Sequence, residues 1–191
     1  MSQDSTLHHD SEPAGATPVF LDALRAQAIP WLRTYPHVKV WFPEFTSDAE
    51  VYSAASLLGE ASLLERARIY ATVADAAVLA SVQHETAEHA RFVPALRERV
   101  TFAQHDLQTD ASFNEFQLIV CGAKVGSLDA AVKRRAFEVC HASLCRFGIL
   151  SVTWATDHDP DIEVLLHGCY ERLPSEGEST EAPYRIYRRI R

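Results

Sequence analysis

Apolar and polar positions alternate along this chain with two periods, and each change of period marks an element. Phe20, Leu21, Leu24, Ala28, Trp31 and Leu32 recur at helical spacing, which predicts an amphipathic helix from about Pro18 to about Tyr35, with Pro30 as the point where it would bend. The β-rich run Val38–Phe42 follows, then a break over Pro43 to Asp48, then an Ala/Leu/Glu-rich helix over 50–65. Arg68–Thr72 repeats the strand signal and residues 74–84 the helix signal. Val100–Phe102 and Phe116–Cys121 are further strands, and the unbroken apolar run of the second suits a strand covered on both faces. A helix is expected over 128–145, with Gly148 in the turn out of it and a fifth strand over 148–152. The runs 167–173 and 184–190, separated by a Ser/Glu/Gly/Pro loop, predict an antiparallel hairpin.

Strands alternating with helices require a mostly parallel sheet with helices on both faces, a Rossmann-like α/β fold closed by that C-terminal hairpin. In such a sheet ligands bind outside the carboxyl ends of the strands, where the strand order reverses. The loops after the first four strands are therefore the candidate site.

Composition narrows the partners. The chain has 191 residues, 47% of them hydrophobic, enough for one domain over 18–191 behind a polar, acidic tail over 1–17 that is expected to be disordered. A net charge of −8 disfavours contact with nucleic acid or an anionic membrane, and no apolar run is long enough for membrane insertion, so a cytoplasmic protein with a protein or small-molecule partner is expected. Cys121, Cys140, Cys145 and Cys169 lack the spacing of zinc or redox pairs and read as buried thiols. His8, His9 and Asp10 lie in the tail, and Cys140, His141 and Cys145 lie at helical positions that diverge, so no metal site is expected.

The loops and their strands resemble the chemoreceptor glutamate methyltransferases of bacterial chemosensory systems, the CheR family. The segment Trp41-Phe-Pro-Glu-Phe-Thr-Ser-Asp-Ala-Glu-Val-Tyr-Ser53 stands where that family reads W-x-A-G/A-C/A-S-T-G-E-E-P-Y-S. Ile69-Tyr-Ala-Thr-Val-Ala-Asp75 stands for I-Y-A-T-D-I-D, and Val100-Thr-Phe-Ala-Gln-His-Asp-Leu107 for V-x-F-x-x-H-N-L. Phe113 to Leu128 is similar to F-x-x-F-D-L-I-F-C-R-N-V-x-I-Y-F, and Ser143 to Leu150 and Tyr184 to Tyr187 follow in the family's order. The resemblance implies a class I methyltransferase fold, S-adenosylmethionine (SAM) as cofactor and a glutamate side chain as substrate.

The departures from that pattern fall on the positions that hold the cofactor in the family. No glycine occurs between Val38 and Leu58, although glycine is what lets backbone approach a nucleotide closely after the first strand. Asp48, Ala49 and Val51 replace the family's glycine, first glutamate and proline, and Glu44 and Asp48 add negative charge. Val73 stands where an acid should take the ribose hydroxyls, with Asp75 two residues on. Gly122 and Ala123 replace Arg-Asn, Ser127 and Leu128 replace Tyr-Phe, and Asp106, beside Leu107, replaces an asparagine. The family's N-terminal helical domain has no counterpart, and residues 82–100 leave too little chain for its β-subdomain.

The resemblance and its departures imply an altered or vestigial SAM pocket made of Glu44, Thr46, Ser47, Asp48, Glu50, Val73, Asp75, Asp106, Leu107, Gly122 and Ala123, with no catalytic residue and no bound cofactor. The reading is a non-catalytic interaction or scaffold module of a signalling pathway. One alternative is an active SAM-dependent methyltransferase in which Glu50, Asp75 and Asp106 take over the cofactor contacts. Another is a pocket for a different small ligand, such as a cation drawn to Glu44 and Asp48. Simpler roles stand beside these. Trp41 and Tyr52 suit the core, Thr46, Ser47 or Asp48 a helix cap, Glu50 a helix dipole and His105 a structural histidine. Arg185, Arg188, Arg189 and Arg191 suit the exposed face of an edge strand, or a contact for an acidic partner.

Overall fold

A computed structural model describes residues 17–89, 94–113, 115–153, 160–174 and 184–191. The expectations for the tail, for His8, His9 and Asp10, and for most of the loop before Tyr184 lie outside the described residues.

The chain begins in helix α1 (Pro18–Ala23), where the Thr17 hydroxyl accepts from Phe20 N and Pro18 sits at the first helical position, whose N–H has no helical partner to lose. The predicted bend is a π turn over Leu24–Ala28, from which α2 (Ile29–Leu32) continues. Pro30 cannot donate back along the helix, and the turn before it widens so that Ile29 N reaches Leu24 O instead.

Seven strands form one sheet: β1 (Val38–Pro43), β2 (Ala67–Val73), β3 (Val100–Gln104), β4 (Phe116–Cys121), β5 (Leu144–Thr153), β6 (Tyr170–Arg172) and β7 (Tyr184–Arg189). Their order is β3-β2-β1-β4-β5-β7-β6. The pairings β1–β2, β2–β3, β1–β4 and β4–β5 are parallel, and β7 runs antiparallel between β5 and β6. The order reverses between β1 and β4, which puts the crevice of the fold at the ends of those two strands.

Period-two alternation divides the core. Val40 and Phe42 of β1, Ile69 and Ala71 of β2, and Leu118 and Val120 of β4 pack under α1, α2 and α3 (Asp48–Glu60). Trp41, Ile119, Cys121, Leu150 and Val152 face the other way, toward α7 (Ala130–Ser143) and α8 (Pro160–Leu166). The 14-residue α4 (Ala76–His89) and two single-turn pieces, α5 (Pro94–Arg97) and α6 (Ala123–Gly126), complete the helical layers.

Several expectations are corrected. The helix expected over 50–65 ends at Glu60, because Ser62 takes the left-handed conformation (φ 60°) and Leu63 N turns back to Leu58 O. Gly148 lies inside β5 and makes no helix-ending turn. The pairing with β4 shifts register there, and a Cβ on Gly148 would fall 2.8 Å from Leu144 Cδ1 and 2.9 Å from Cys145 O, so close approach is what requires glycine. The arginine-rich β7 is an interior strand, and the edge on that side is the three-residue β6. Its arginines have partners: Arg185 pairs with Glu163 at 3.1 Å, and Arg188 pairs with Glu171 and lies 4.0 Å over the Trp31 ring. Arg189 donates to His141 O and Leu144 O at the end of α7.

Candidate functional site

The crevice is bounded by the loops that leave β1, β2, β3 and β4. After β1 the chain passes through Glu44 in the left-handed conformation (φ 50°), the position where a glycine would cost least, and then through buried Phe45. Glu44 is buried, and its side chain points across the crevice. Its Oε1 accepts from Ala74 N at 2.9 Å, at the end of β2, and its Oε2 pairs with Lys124 Nζ at 2.6 Å, in α6 after β4. One carboxylate thus ties together the three loops where the strand order reverses.

Other bonds close the same seam. Phe45 N donates to Thr72 O, His105 N to Val73 O, and Gln104 Nε2 to Ala74 O. Both backbone groups of Ala74 are therefore taken by side chains of neighbouring loops. The Phe45 ring packs against Phe102 with centroids 5.3 Å apart.

The remaining acids of the set are largely committed to local structure. Asp75 Oδ1 accepts from Ala77 N at 2.7 Å, capping α4. Asp106 Oδ1 accepts from Gln108 N and Oδ2 from Thr109 Oγ1, while Asp106 N donates to Asp110 Oδ2, so the acid builds its own turn. The Ser47 hydroxyl accepts from Ala49 N and caps α3, with Asp48 and Glu50 in the favourable first turn. Thr46 is exposed, Val73 and Leu107 are buried apolar residues, and Ala123 is exposed. Gly122 is the N-cap of α6 and has open space where a Cβ would sit, so nothing in its surroundings requires glycine.

Glu50 stands apart, because it is half-buried with no hydrogen bond or ion pair among the described residues. Burial pushes its carboxyl above the ordinary value of 4.5. An acid with a raised folded-state pKa binds more protons folded than unfolded in that interval, so its penalty is absent below the unfolded pKa and grows as pH rises through the folded one. Glu50→Gln is therefore expected to raise the thermal midpoint at about pH 7 and to leave it unchanged at about pH 3, read by calorimetric scans at both values.

Trp41 is structural, as the simpler reading has it, and His105 is a packed histidine satisfied at one nitrogen only, its buried Nδ1 having no hydrogen-bond partner among the described residues. Trp41 is fully buried, donates from Nε1 to Thr72 Oγ1 at 2.9 Å and stacks on Phe116. His105 donates from Nε2 to Ala111 O at 3.0 Å and packs on Trp41 and Phe113. Among the described residues no cluster of three His, Cys, Asp or Glu side chains is arranged to hold a metal, and no helix is long and apolar enough to cross a membrane. Cys121 and Cys140 lie buried with their sulfurs 3.8 Å apart, and Cys145 faces the Tyr35 hydroxyl.

The sequence reading missed Lys124 and Gln104. Lys124 carried a usable signal, since it is the first basic residue after β4, on a loop already named as part of the site. The expectation that Glu44 contributes free negative charge is corrected by this pairing.

No protein-family model matches the chain. A curated protein of Pseudomonas putida named "Putative methyltransferase Cher3" is 36% identical over 157 residues, a match that covers 67% of this chain and 58% of that protein. The chain thus spans less than two thirds of that relative's length. Among solved structures, SAM-bound CalS10, an amino pentose methyltransferase from Micromonospora echinaspora, superposes with TM-score 0.62 at 11% identity, covering 89% of this chain and 92% of that one. SAM-bound magnesium protoporphyrin IX methyltransferase from Synechocystis PCC 6803 gives 0.61 at 15% identity, covering 90% and 77%. The N-methyltransferase NodS from Bradyrhizobium japonicum, in complex with S-adenosyl-L-homocysteine, gives 0.56 at 14%, covering 91% and 88%. The fold is that of the class I SAM-dependent methyltransferases.

Proposed function

We propose that this chain, a methyltransferase-like domain by its fold, is a non-catalytic module whose cofactor crevice is closed by its own side chains, and that it acts through a protein partner in a bacterial chemosensory or signalling pathway. The observation that carries the reading is the bridge from Glu44 to Ala74 N and Lys124 Nζ across the reversal point of the sheet. SAM carries a carboxylate, a sulfonium, a ribose diol and an adenine, and the residues present do not fit them. Val73 offers the diol no acceptor where the acid should stand, Asp106 accepts with both oxygens from its own turn, and Asp75, two residues on, has Oδ1 committed to the cap of α4. The Ala74 N–H and the Lys124 ammonium, two groups able to receive an anion, are held by Glu44. Methyl transfer depends on holding donor and acceptor in line, so a crevice without anchors loses the reaction along with the affinity. The chemosensory setting is supported by the resemblance and by the name of the Pseudomonas putida relative.

A second reading, an active SAM-dependent glutamate methyltransferase with an altered pocket, is favoured by that relative and by Glu50, the half-buried acid with no polar partner among the described residues. Thermal unfolding separates the two. A ligand of micromolar Kd at about 1 mM stabilises the folded state by about 4 kcal/mol, or roughly 8–16 °C for a domain of this size. With SAM or its demethylated product at that concentration, the module is expected to show no rise, whereas a rise of that size overturns the closed crevice and favours the second reading.

A further inference from the structure

A second concavity lies at the opposite end of the sheet from the crevice. It is bounded by the C-terminal half of α7, the last turn of α8 and the start of β6, stands half open to solvent, and has a volume of about 320 Å³. Gly168, at φ 74°, makes the turn that brings the chain from α8 into β6, and the Cys169 and Tyr170 that follow complete the wall. Phe137, Leu165, Leu166 and the Tyr170 ring supply an apolar lining, and the volume reaches the lower end of the range of small-molecule sites, about 300–1,000 Å³.

One polar pair is set into this lining. His141 Nδ1 and the Tyr170 hydroxyl are 3.1 Å apart, with the two rings edge to face at 5.6 Å. That bond fixes the orientation of the imidazole and leaves Nε2 without a hydrogen bond among the described residues. Burial, reinforced by the positive charge of Arg189, lowers the pKa of His141, so the ring is neutral at physiological pH. Arg189 itself is occupied with the carbonyls that end α7. The site therefore has apolar walls and one uncharged hydrogen-bonding position, and among the described residues the only acid in its lining is the exposed Glu138.

We propose that this cavity is a binding site for an uncharged aromatic molecule of one or two rings that carries a single hydrogen-bonding group, its ring between Phe137 and Leu165 and its polar atom on His141 Nε2. An anion would find no free cation among the lining residues, and a cation would lose its hydration against apolar walls. The site is independent of the closed crevice and does not require SAM.

The test is a titration of the full chain with indole, followed by NMR of the His141 and Tyr170 ring signals, with benzene as the reference that lacks a hydrogen-bonding group, over which indole is expected to be preferred, and benzoate and benzylamine as charged counterparts. Indole is expected to shift those signals saturably with a Kd on the order of 0.1–1 mM, as befits a fragment of its size, and the charged probes to bind at least about tenfold more weakly. Leu165→Trp, which fills the cavity, is expected to weaken indole at least about tenfold, and His141→Phe, which removes the polar position but keeps the wall, to weaken it about threefold or more and to erase the preference over benzene. The variants are compared only where their unfolding midpoints stay within a few degrees of the parent. Absence of saturable shifts up to about 2 mM overturns the proposal. So do shifts that persist unchanged in whichever variant folds, or equal affinity for the charged probes.

Discussion

Trp41→Ala is expected to destabilise the fold by about 3–5 kcal/mol, the usual cost of emptying a large aromatic site in a core that relaxes only in part. Trp41 is fully buried on the face of β1 opposite α1–α3 and touches Phe116, Phe113 and His105 with centroid separations of 5.2, 4.9 and 5.4 Å. Its loss would leave a void under the loop that carries Asp106 and strand Thr72 Oγ1, which now accepts from the indole. Trp41→Phe keeps most of the ring contact and loses that hydrogen bond, so about 1–2 kcal/mol is expected. Urea unfolding followed by circular dichroism checks both, and the ranking of the two variants matters more than either value.

Glu44→Ala carries the other large effect, about 2 kcal/mol of destabilisation, because the substitution leaves Ala74 N unpaired and Lys124 without its counter-ion. The Lys124 side chain is 41% exposed and can return to water, which holds the cost below the 3–5 kcal/mol of a fully buried pair. Two companion variants separate the contributions. Glu44→Gln retains an oxygen for Ala74 N and loses only the charge, so it is expected to cost about half as much. Glu44→Gly loses both bonds but relaxes the left-handed backbone at φ 50°, so it is expected to cost about 1 kcal/mol less than Glu44→Ala. If alanine and glycine prove equal, the backbone at this position carries no strain. None of the three is expected to create SAM binding, since Val73, Gly122 and Ala123 still offer no polar side chain.

The alternation of strands and helices was legible because each βα unit switches hydrophobic period, and β4 in particular declares its position by the continuous apolar run Leu118–Cys121, which suits a strand covered on both faces. The hairpin was legible for the same reason, but not that β7 would insert between β5 and β6, since two β-rich runs with a loop between them specify pairing and leave the order in the sheet open. Gly148 was misassigned because a glycine after a helix is the same signal whether it ends the helix or admits a close neighbour, and the neighbour here is a side chain and a carbonyl a few residues back. Of the site, the caps at Ser47 and Asp75 follow from local rules, whereas the pairing of Glu44 with Lys124 joins residues far apart in the chain. Read singly, Glu44 was an acid that would repel a carboxylate. With its partners in place it occupies the position instead.

Whether the crevice is closed from within is decided by calorimetric titration of SAM and of its demethylated product into the full chain. No saturable heat is expected with either up to about 1 mM, for the parent and for Glu44→Ala alike. A stoichiometric isotherm with a micromolar Kd in the parent would contradict closure, and would return Glu50 to the centre of an active site.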